Sequence, residues 1–427
     1  MSVCLGSLKE TAKLWDCRFS KFVPSLEIYK SLYTFLSDNR PKESVIVMNQ
    51  QYAVLLTDIF NDIPAEMPDD IIDRLIAGEA TKKDAHVLLR CDPILIFRLA
   101  DRLRATLIGN TATYIVNRNI NFSDQCIGTC KFCAFKGYKG FRLTTEEIIN
   151  KAGKAVRSDA TEVCIQGGLM EDMFIEDYCT ILDGIKSRYP QLHIHAFSPM
   201  EVFHMAKKSK TGIVETLREL KRAGLDTMPG TAAEILSERV RREICPNKLT
   251  SKQWTEVIMA AHREGIPTTA TMMYGHIETE EERIDHILKI RDIQAVTGGF
   301  TEFVPLPFMP YNNTLGEELM AKGVYATTGV EDLMVHAMAR ILLFPHVKNI
   351  QCSWVKLGKK ISQFSLLCGV NDLGGTLMEE NISKSAGAAN GEYMPPEEFK
   401  WIIMGAGREP VQRDTLYQHL DNKNLIQ

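Results

Sequence analysis

Between about residues 113 and 370, short apolar runs alternate with amphipathic stretches, and no other feature of the chain restricts its fold as tightly. Period-2 and buried-run patterns predict strands at Thr113–Val116, Glu162–Ile165, His193–Phe197, Asp226–Met228, Thr268–Met273, Thr301–Pro305, Asn349–Trp354 and Leu367–Val370. Apolar spacing near about 3.6 predicts intervening helices at Thr144–Val156, Ile175–Arg188, Gly212–Ala223, Ser251–Glu264, Glu280–Ala295, Glu331–Leu343 and Lys356–Phe364. Thr144 with Glu147 forms a capping box, and Gly224 and Gly265 stand as stops after two helices. Eight such alternations predict an α/β chain folded as a (β/α)8-type parallel barrel, whose active groups gather at the C-terminal ends of the strands. Further helices are expected at Asp69–Ile76, Lys83–Leu89 and Ile94–Leu107, and around Leu26–Leu36 and Tyr52–Phe60. Residues 1–63 are expected to form an N-terminal helical extension of unassigned role. Residues 64–427 are expected to hold the barrel and a C-terminal segment.

Composition narrows the function classes. The 427 residues are 45% hydrophobic and 24% charged, as in ordinary globular chains. A net charge of −4 provides no basic field for nucleic acid or an anionic membrane. No run of about 18 apolar residues predicts a membrane span. The first residues, MSVCLGSLKETAKLWDCRFSKF, lack the apolar core and cleavage site of a secretory signal. A cytoplasmic chain is therefore expected, with its eleven cysteines acting as thiols or ligands rather than as a disulfide framework.

One cysteine cluster stands out. Cys126, Cys130 and Cys133 follow a C-x3-C-x2-C spacing in the loop after the first strand. A closed zinc site wants four ligands, and a cubane iron–sulfur cluster normally takes four cysteines. Three thiolates leave one iron open to a small molecule. The alternatives are buried thiols at chance spacing, or zinc completed by His193, His195 or Cys164.

Other strand ends carry polar groups. Gln166-Gly167-Gly168 reads as a tight turn or as a close backbone approach to a ligand. Ser198 and Glu201 face the barrel mouth after the third strand. Pro229–Leu236 reads as a glycine followed by a helix start, with Glu234 available to a ribose or an amine. Tyr274 and His276 could touch a substrate, and His276 could move a proton. Phe303, Phe308 and Tyr311 suggest an aromatic rim. Asn371, Glu379 and Glu380 lie in a polar, glycine-rich tail that suits a substrate rich in N–H and hydroxyl groups. Sequence assigns no catalytic base.

The cysteine triplet, with Phe132 before its last member, resembles the radical S-adenosylmethionine (SAM) superfamily. The resemblance implies a 4Fe-4S cluster on Cys126, Cys130 and Cys133. It also implies SAM bound at the open iron and cleaved to a 5′-deoxyadenosyl radical, with a one-electron donor such as flavodoxin or ferredoxin. In that superfamily the glycine pair lies against the SAM amino group. Phe132, Gln166, Gly167, Gly168, Ser198, Glu201 and Glu234 are then expected at the cofactor. Tyr274, His276, Asn371, Glu379 and Glu380 are expected at the substrates. Tyr114–Phe135, Ser198–Val202, Pro229–Leu236, Phe303–Tyr311, Asn371–Ile382 and Gly405–Arg408 together resemble the tyrosine-using subunit family of FO synthase, over about residues 64–427. This implies coupling of the 4-hydroxybenzyl group of L-tyrosine to 5-amino-6-(D-ribitylamino)uracil, with release of 2-iminoacetate, in deazaflavin synthesis. A second FO synthase subunit is the implied protein partner. The runner-up is an aminofutalosine synthase-like enzyme of menaquinone synthesis. A zinc-stabilised binding protein is the alternative of another class.

Overall fold

The computed structural model describes residues 69–133, 135, 140–379, 387 and 390–420, all within one unit, Ile59–Gln427. The expectations for residues 1–63 and for Glu380 lie outside the described residues.

Strand β1 (Thr111–Ile115) and strand β2 (Asn117–Asn121) are separated by Val116 alone and form one bent strand. β2 pairs in parallel with β3 (Glu162–Gln166), and β3 with β4 (His193–Ala196). A parallel bridge joins His195 to Thr227, and another joins Met228 to β5 (Thr268–Tyr274). β5 pairs with β6 (Phe300–Pro307), bridges run from Phe303 to Ile350 and from Gln351 to Asp372, and β7 (Asp372–Gly375) returns to β1. The circuit closes a barrel with eight strand positions, all parallel. The helices lie outside it, so β5, covered on both faces, is buried along its whole length. Capping explains where the helices begin: Thr144 with Glu147, Thr250 with Gln253 and Thr279 with Glu282 each satisfy first-turn amides reciprocally. Gly224 and Gly265 end their helices at φ +109° and +66°.

Several expectations shift. Asp226–Met228 contributes only bridges at Thr227 and Met228. Asn349–Trp354 holds bridge residues Ile350 and Gln351, and Trp354 already begins the helix Trp354–Ser365. Leu367–Val370 is a turn, not a strand. Gly369 sits at φ +95°, and the strand forms at Asp372–Gly375. The apolar run misleads because Val370 is buried as core beneath a turn. Pro229–Leu236 is irregular, and the next helix starts only at Glu238.

Two strands escape the sequence patterns. β2 reads NRNIN because one face is turned to a polar barrel interior, where Asn117 donates to Glu162. β8 (Glu409–Gln412) reads EPVQ and pairs in parallel with β1 at the N-terminal end of the barrel. The chain then runs beneath the barrel. Arg413 pairs with Asp372 and Glu302, Thr415 donates to Glu162, and Tyr417 donates to Glu302. The C-terminal segment thus closes the barrel floor.

Candidate active site

The cysteine loop leaves β2 at the C-terminal end of the barrel and is tied down along its length. Gly168 N–H donates to the Ser123 carbonyl at 3.0 Å, and Ile127 N–H to Leu169 at 3.1 Å. Lys131 N–H donates to Ile244 at 2.8 Å, while its carbonyl accepts from Leu315 N–H at 3.0 Å. Glycine is obligatory at the crossing: a Cβ on Gly168 would stand 1.8 Å from the Gln125 carbonyl oxygen, and one on Gly167 would stand 2.4 Å from the Phe122 ring. The glycine pair therefore packs the cysteine loop against β3.

The three thiols are partly buried. Cys126 Sγ accepts N–H groups from Gly128 and Leu169, each at 3.2 Å. Burial pushes Cys130 up and Cys133 up to about 11, with Lys248 pulling both the other way. Bare thiols there stay neutral, and a bound metal supplies the positive charge that ionises them. The donor set fits a thiolate-held iron–sulfur cluster with three protein ligands. Among the described residues, no three His, Cys, Asp or Glu side chains converge on a single-ion position. Two of the expected fourth zinc ligands are engaged elsewhere: His193 and His195 both turn to the Thr227 hydroxyl, at 2.8 and 2.7 Å.

Beside the loop a cavity of about 280 Å³ opens at the strand ends. Phe132, Cys133, Gln166 and Glu234 line one side, with Phe308 and Met273 beyond them. Gln166 donates to Thr231 Oγ1 at 3.1 Å. Glu234 is held at φ +46°, a left-handed conformation that costs a non-glycine residue energy. Buried Arg241 gathers the preceding carbonyls of Ala232 and Ala233, and the Glu234 carbonyl accepts from Met273 N–H at 2.7 Å. The Glu234 carboxylate accepts from Lys248 Nζ at 2.6 Å. Burial would raise Glu234, but Lys248 outweighs it and leaves the carboxyl below its ordinary value. Burial likewise opposes the Lys248 charge, and Glu234 holds the ammonium well above its usual range. Lys248 Nζ also lies 5.2 Å from the Phe132 ring centroid. An ion pair is thus fixed beside the cysteine loop, with its carboxylate lining the cavity.

Ser198 and Glu201 act one layer back. Their capping box starts the helix Pro199–Ser209, and Glu201 accepts from Gly167 N–H at 3.2 Å. Burial drives Glu201 up to about 7 against the Ser198 and Gly167 hydrogen bonds. These two residues support the glycine loop and do not line the cavity.

The expected substrate residues are placed elsewhere. Tyr274 is fully buried, and its hydroxyl donates to Asp332 at 2.9 Å. His276 has both ring nitrogens occupied, Nδ1 accepting from Ile277 N–H at 2.8 Å and Nε2 facing the Met273 carbonyl at 3.1 Å. Burial lowers its pKa, which favours the neutral imidazole, and it does not line the cavity. Asn371 precedes β7, at the floor end, and is consumed by Arg340, Ile350 and Asn349. Glu379 turns outward to Arg118 and Lys151. Of the aromatic rim only Phe308 lines the cavity: Phe303 is core and Tyr311 is half-exposed. Pattern reading misses Lys248, which arrives on the loop after Glu238–Ile244, and Gln351 and Ser353, which line the opposite cavity wall. A buried Glu234 in need of a cation is the one signal that could have pointed to Lys248.

Known proteins match this arrangement. Residues 120–290 match the Radical SAM superfamily, and residues 297–426 match the CofH/MqnC C-terminal region. A relative from Methanosarcina acetivorans, 5-amino-6-(D-ribitylamino)uracil–L-tyrosine 4-hydroxyphenyl transferase 1, is 58% identical over 357 residues, 84% of this chain and 95% of the relative. An Archaeoglobus fulgidus transferase of the same description is 56% identical over 330 residues, 77% of this chain and 95% of its own length. Among solved structures, methylornithine synthase aligns with a TM-score of 0.62 at 17% identity, covering 79% of this chain and 96% of that one. The FeFe-hydrogenase maturase of Carboxydothermus hydrogenoformans aligns at 0.61 with 15% identity, covering 89% and 86%. The two structures share the barrel. With a cysteine loop at the mouth of that barrel and relatives matched over nearly their full length, the chain belongs to the 5-amino-6-(D-ribitylamino)uracil–L-tyrosine 4-hydroxyphenyl transferase family of radical SAM enzymes.

Proposed function

We propose that this enzyme transfers the 4-hydroxybenzyl group of L-tyrosine to 5-amino-6-(D-ribitylamino)uracil, releasing 2-iminoacetate, in deazaflavin synthesis. The observation that carries the reading is the 58% identity to a transferase so described, over 95% of that relative's length. A 4Fe-4S cluster with SAM, when bound, supplies the one-electron cleavage that generates a hydrogen-abstracting adenosyl radical. The chain's own residues supply position and shelter. Cys126, Cys130 and Cys133 hold the cluster, and Phe132, Cys133 and Glu234 line the cavity beside it, with Lys248 paired to Glu234. Glu234 and Gln166 offer fixed polar groups to SAM. The Gly167–Gly168 crossing, braced by Glu201, keeps the loop in register with β3. Phe308, Leu306 and Met273 form an apolar wall that keeps water from a reactive intermediate. A flavodoxin- or ferredoxin-type donor and a second FO synthase subunit are the partners this chemistry calls for.

The test uses anaerobically reconstituted protein with SAM, a reductant and both substrates. Methionine and 5′-deoxyadenosine should accumulate together with a tyrosine–pyrimidine adduct. Formation of an adenosyl adduct with an enolpyruvyl benzoate, and none with tyrosine, would place the enzyme in the menaquinone branch.

A further inference from the structure

Across the cavity from the cysteine loop, Gln351 and Ser353 sit two positions apart and both line the cavity. One end of the Gln351 carboxamide lies 3.2 Å from Glu302 Oε2 and 3.1 Å from Asp372 Oδ1. An oxygen there would face two carboxylates. A nitrogen donates to both, which outweighs a 3.4 Å approach of Arg413 Nη2 to the same atom. The carbonyl end then lies on the side of Gly374, where a Cβ would come within 3.1 Å of it, and Gly374 also lines the cavity. The orientation is locked from below. Arg413 reaches up from the C-terminal segment to Asp372 and Glu302, and Gly374 N–H and Thr113 Oγ1 hold Asp372. Ser353 adds a second polar group. It occupies the N-cap of Trp354–Ser365 but makes no side-chain bond to that helix. A fixed acceptor and a hydroxyl, two positions apart in the chain, therefore both line the cavity, as do the apolar Trp354 and Leu373.

We propose that Gln351 and Ser353 bind the pyrimidine edge of the aminouracil, with the Gln351 carbonyl accepting a ring or exocyclic N–H and the Ser353 hydroxyl meeting the adjacent carbonyl. Arg413, Glu302 and Asp372 are positioning residues that fix the Gln351 amide. The assignment rests on the functional reading above. A phenol has one O–H to place, whereas an aminouracil edge presents a donor beside an acceptor, so the pair suits the pyrimidine better than the tyrosine ring.

The experiment measures binding of 5-amino-6-(D-ribitylamino)uracil to cluster-loaded, SAM-bound protein by anaerobic calorimetry, alongside the KM for L-tyrosine. Gln351→Met and Ser353→Ala should each weaken pyrimidine binding about tenfold or more, with the tyrosine KM unchanged within about twofold. Arg413→Lys keeps the charge but loses the two-pronged grip. It should give the same selective loss, which a merely structural defect would spread over both substrates. If Gln351→Met does not load its cluster, Ser353→Ala, a smaller change at the cavity surface, carries the test alone. Unchanged pyrimidine affinity in wild-type-like variants, or a loss confined to tyrosine, overturns the assignment while the functional reading stands. Wild-type protein that binds no aminouracil overturns both.

Discussion

Cys126 receives two backbone N–H groups, whereas Cys130 and Cys133 are pushed toward the neutral thiol by burial. Each is one of the three ligands proposed for the cluster. Replacing any one with alanine should abolish SAM cleavage and lower the iron bound after anaerobic reconstitution, measured as iron per chain. Cys352 is buried between Gln351 and Ser353 in the cavity wall, outside the cysteine loop, and its alanine variant should keep full iron loading. Gly168 makes a sharper case. From sequence, its missing side chain reads as space for a ligand. In the fold, that space is already taken by the Gln125 carbonyl, 1.8 Å from a built Cβ. Gly168→Val should therefore fail at cluster assembly, before any effect on SAM affinity. Retained iron with weakened SAM binding would restore the ligand-space reading. The cysteines were legible because their chemistry depends on local spacing. Tyr274 and Asn371 were not, because sequence gives a residue's strand but not which side of a tilted barrel strand its side chain takes, nor how far along the barrel axis it lies.

At the scale of elements, helices were the most legible part. Ile175–Arg188 falls at its expected limits because caps and a 3.6-residue period are local signals. β2 and β8 were invisible, since the polar face of one meets a polar lumen and the other is a short strand containing proline. The consequence for stability is concentrated in the segment after β8. Arg413 is nearly inaccessible and neutralises Asp372 and Glu302. Arg413→Met strands two buried carboxylates and should cost about 3–5 kcal/mol in a denaturant titration. His262 gives an element-level pH effect. It joins the helix Ser251–Arg263 to Thr268 of β5 and to Thr297, and burial depresses it from 6.5 to about 4. The folded state holds it neutral while an unfolded chain would protonate it near pH 6.5. Its contribution is therefore complete above pH 6.5 and is lost as pH falls toward 4. His262→Gln, which can still bond both hydroxyls, should flatten the fall in melting temperature over that window. An unchanged slope would show that other groups set the acid limit.

For the molecule as a whole, the closed barrel opens its cavity at one end and carries a buried charge network toward the other, with Gln351 touching both. The hydrogen bonds and bridges that close the circuit run between residues 111 and 420. A chain beginning near Pro64 is expected to keep its cluster and its product, and a folded but inactive truncation would give residues 1–63 a part in the chemistry. No described helix is long and apolar enough to cross a membrane. The barrel was legible from strand–helix alternation alone. The substrate wall was not, because Gln351, Glu302, Asp372 and Arg413 meet only through pairings distant in the chain. The central claim is that a benzyl carbon of tyrosine ends up on the pyrimidine. Ring-labelled L-tyrosine supplied with unlabelled 5-amino-6-(D-ribitylamino)uracil and SAM tests it directly by mass spectrometry. The label should appear in the pyrimidine adduct, in proportion to the 5′-deoxyadenosine formed. A product carrying the adenosyl group and no tyrosine label would contradict the account.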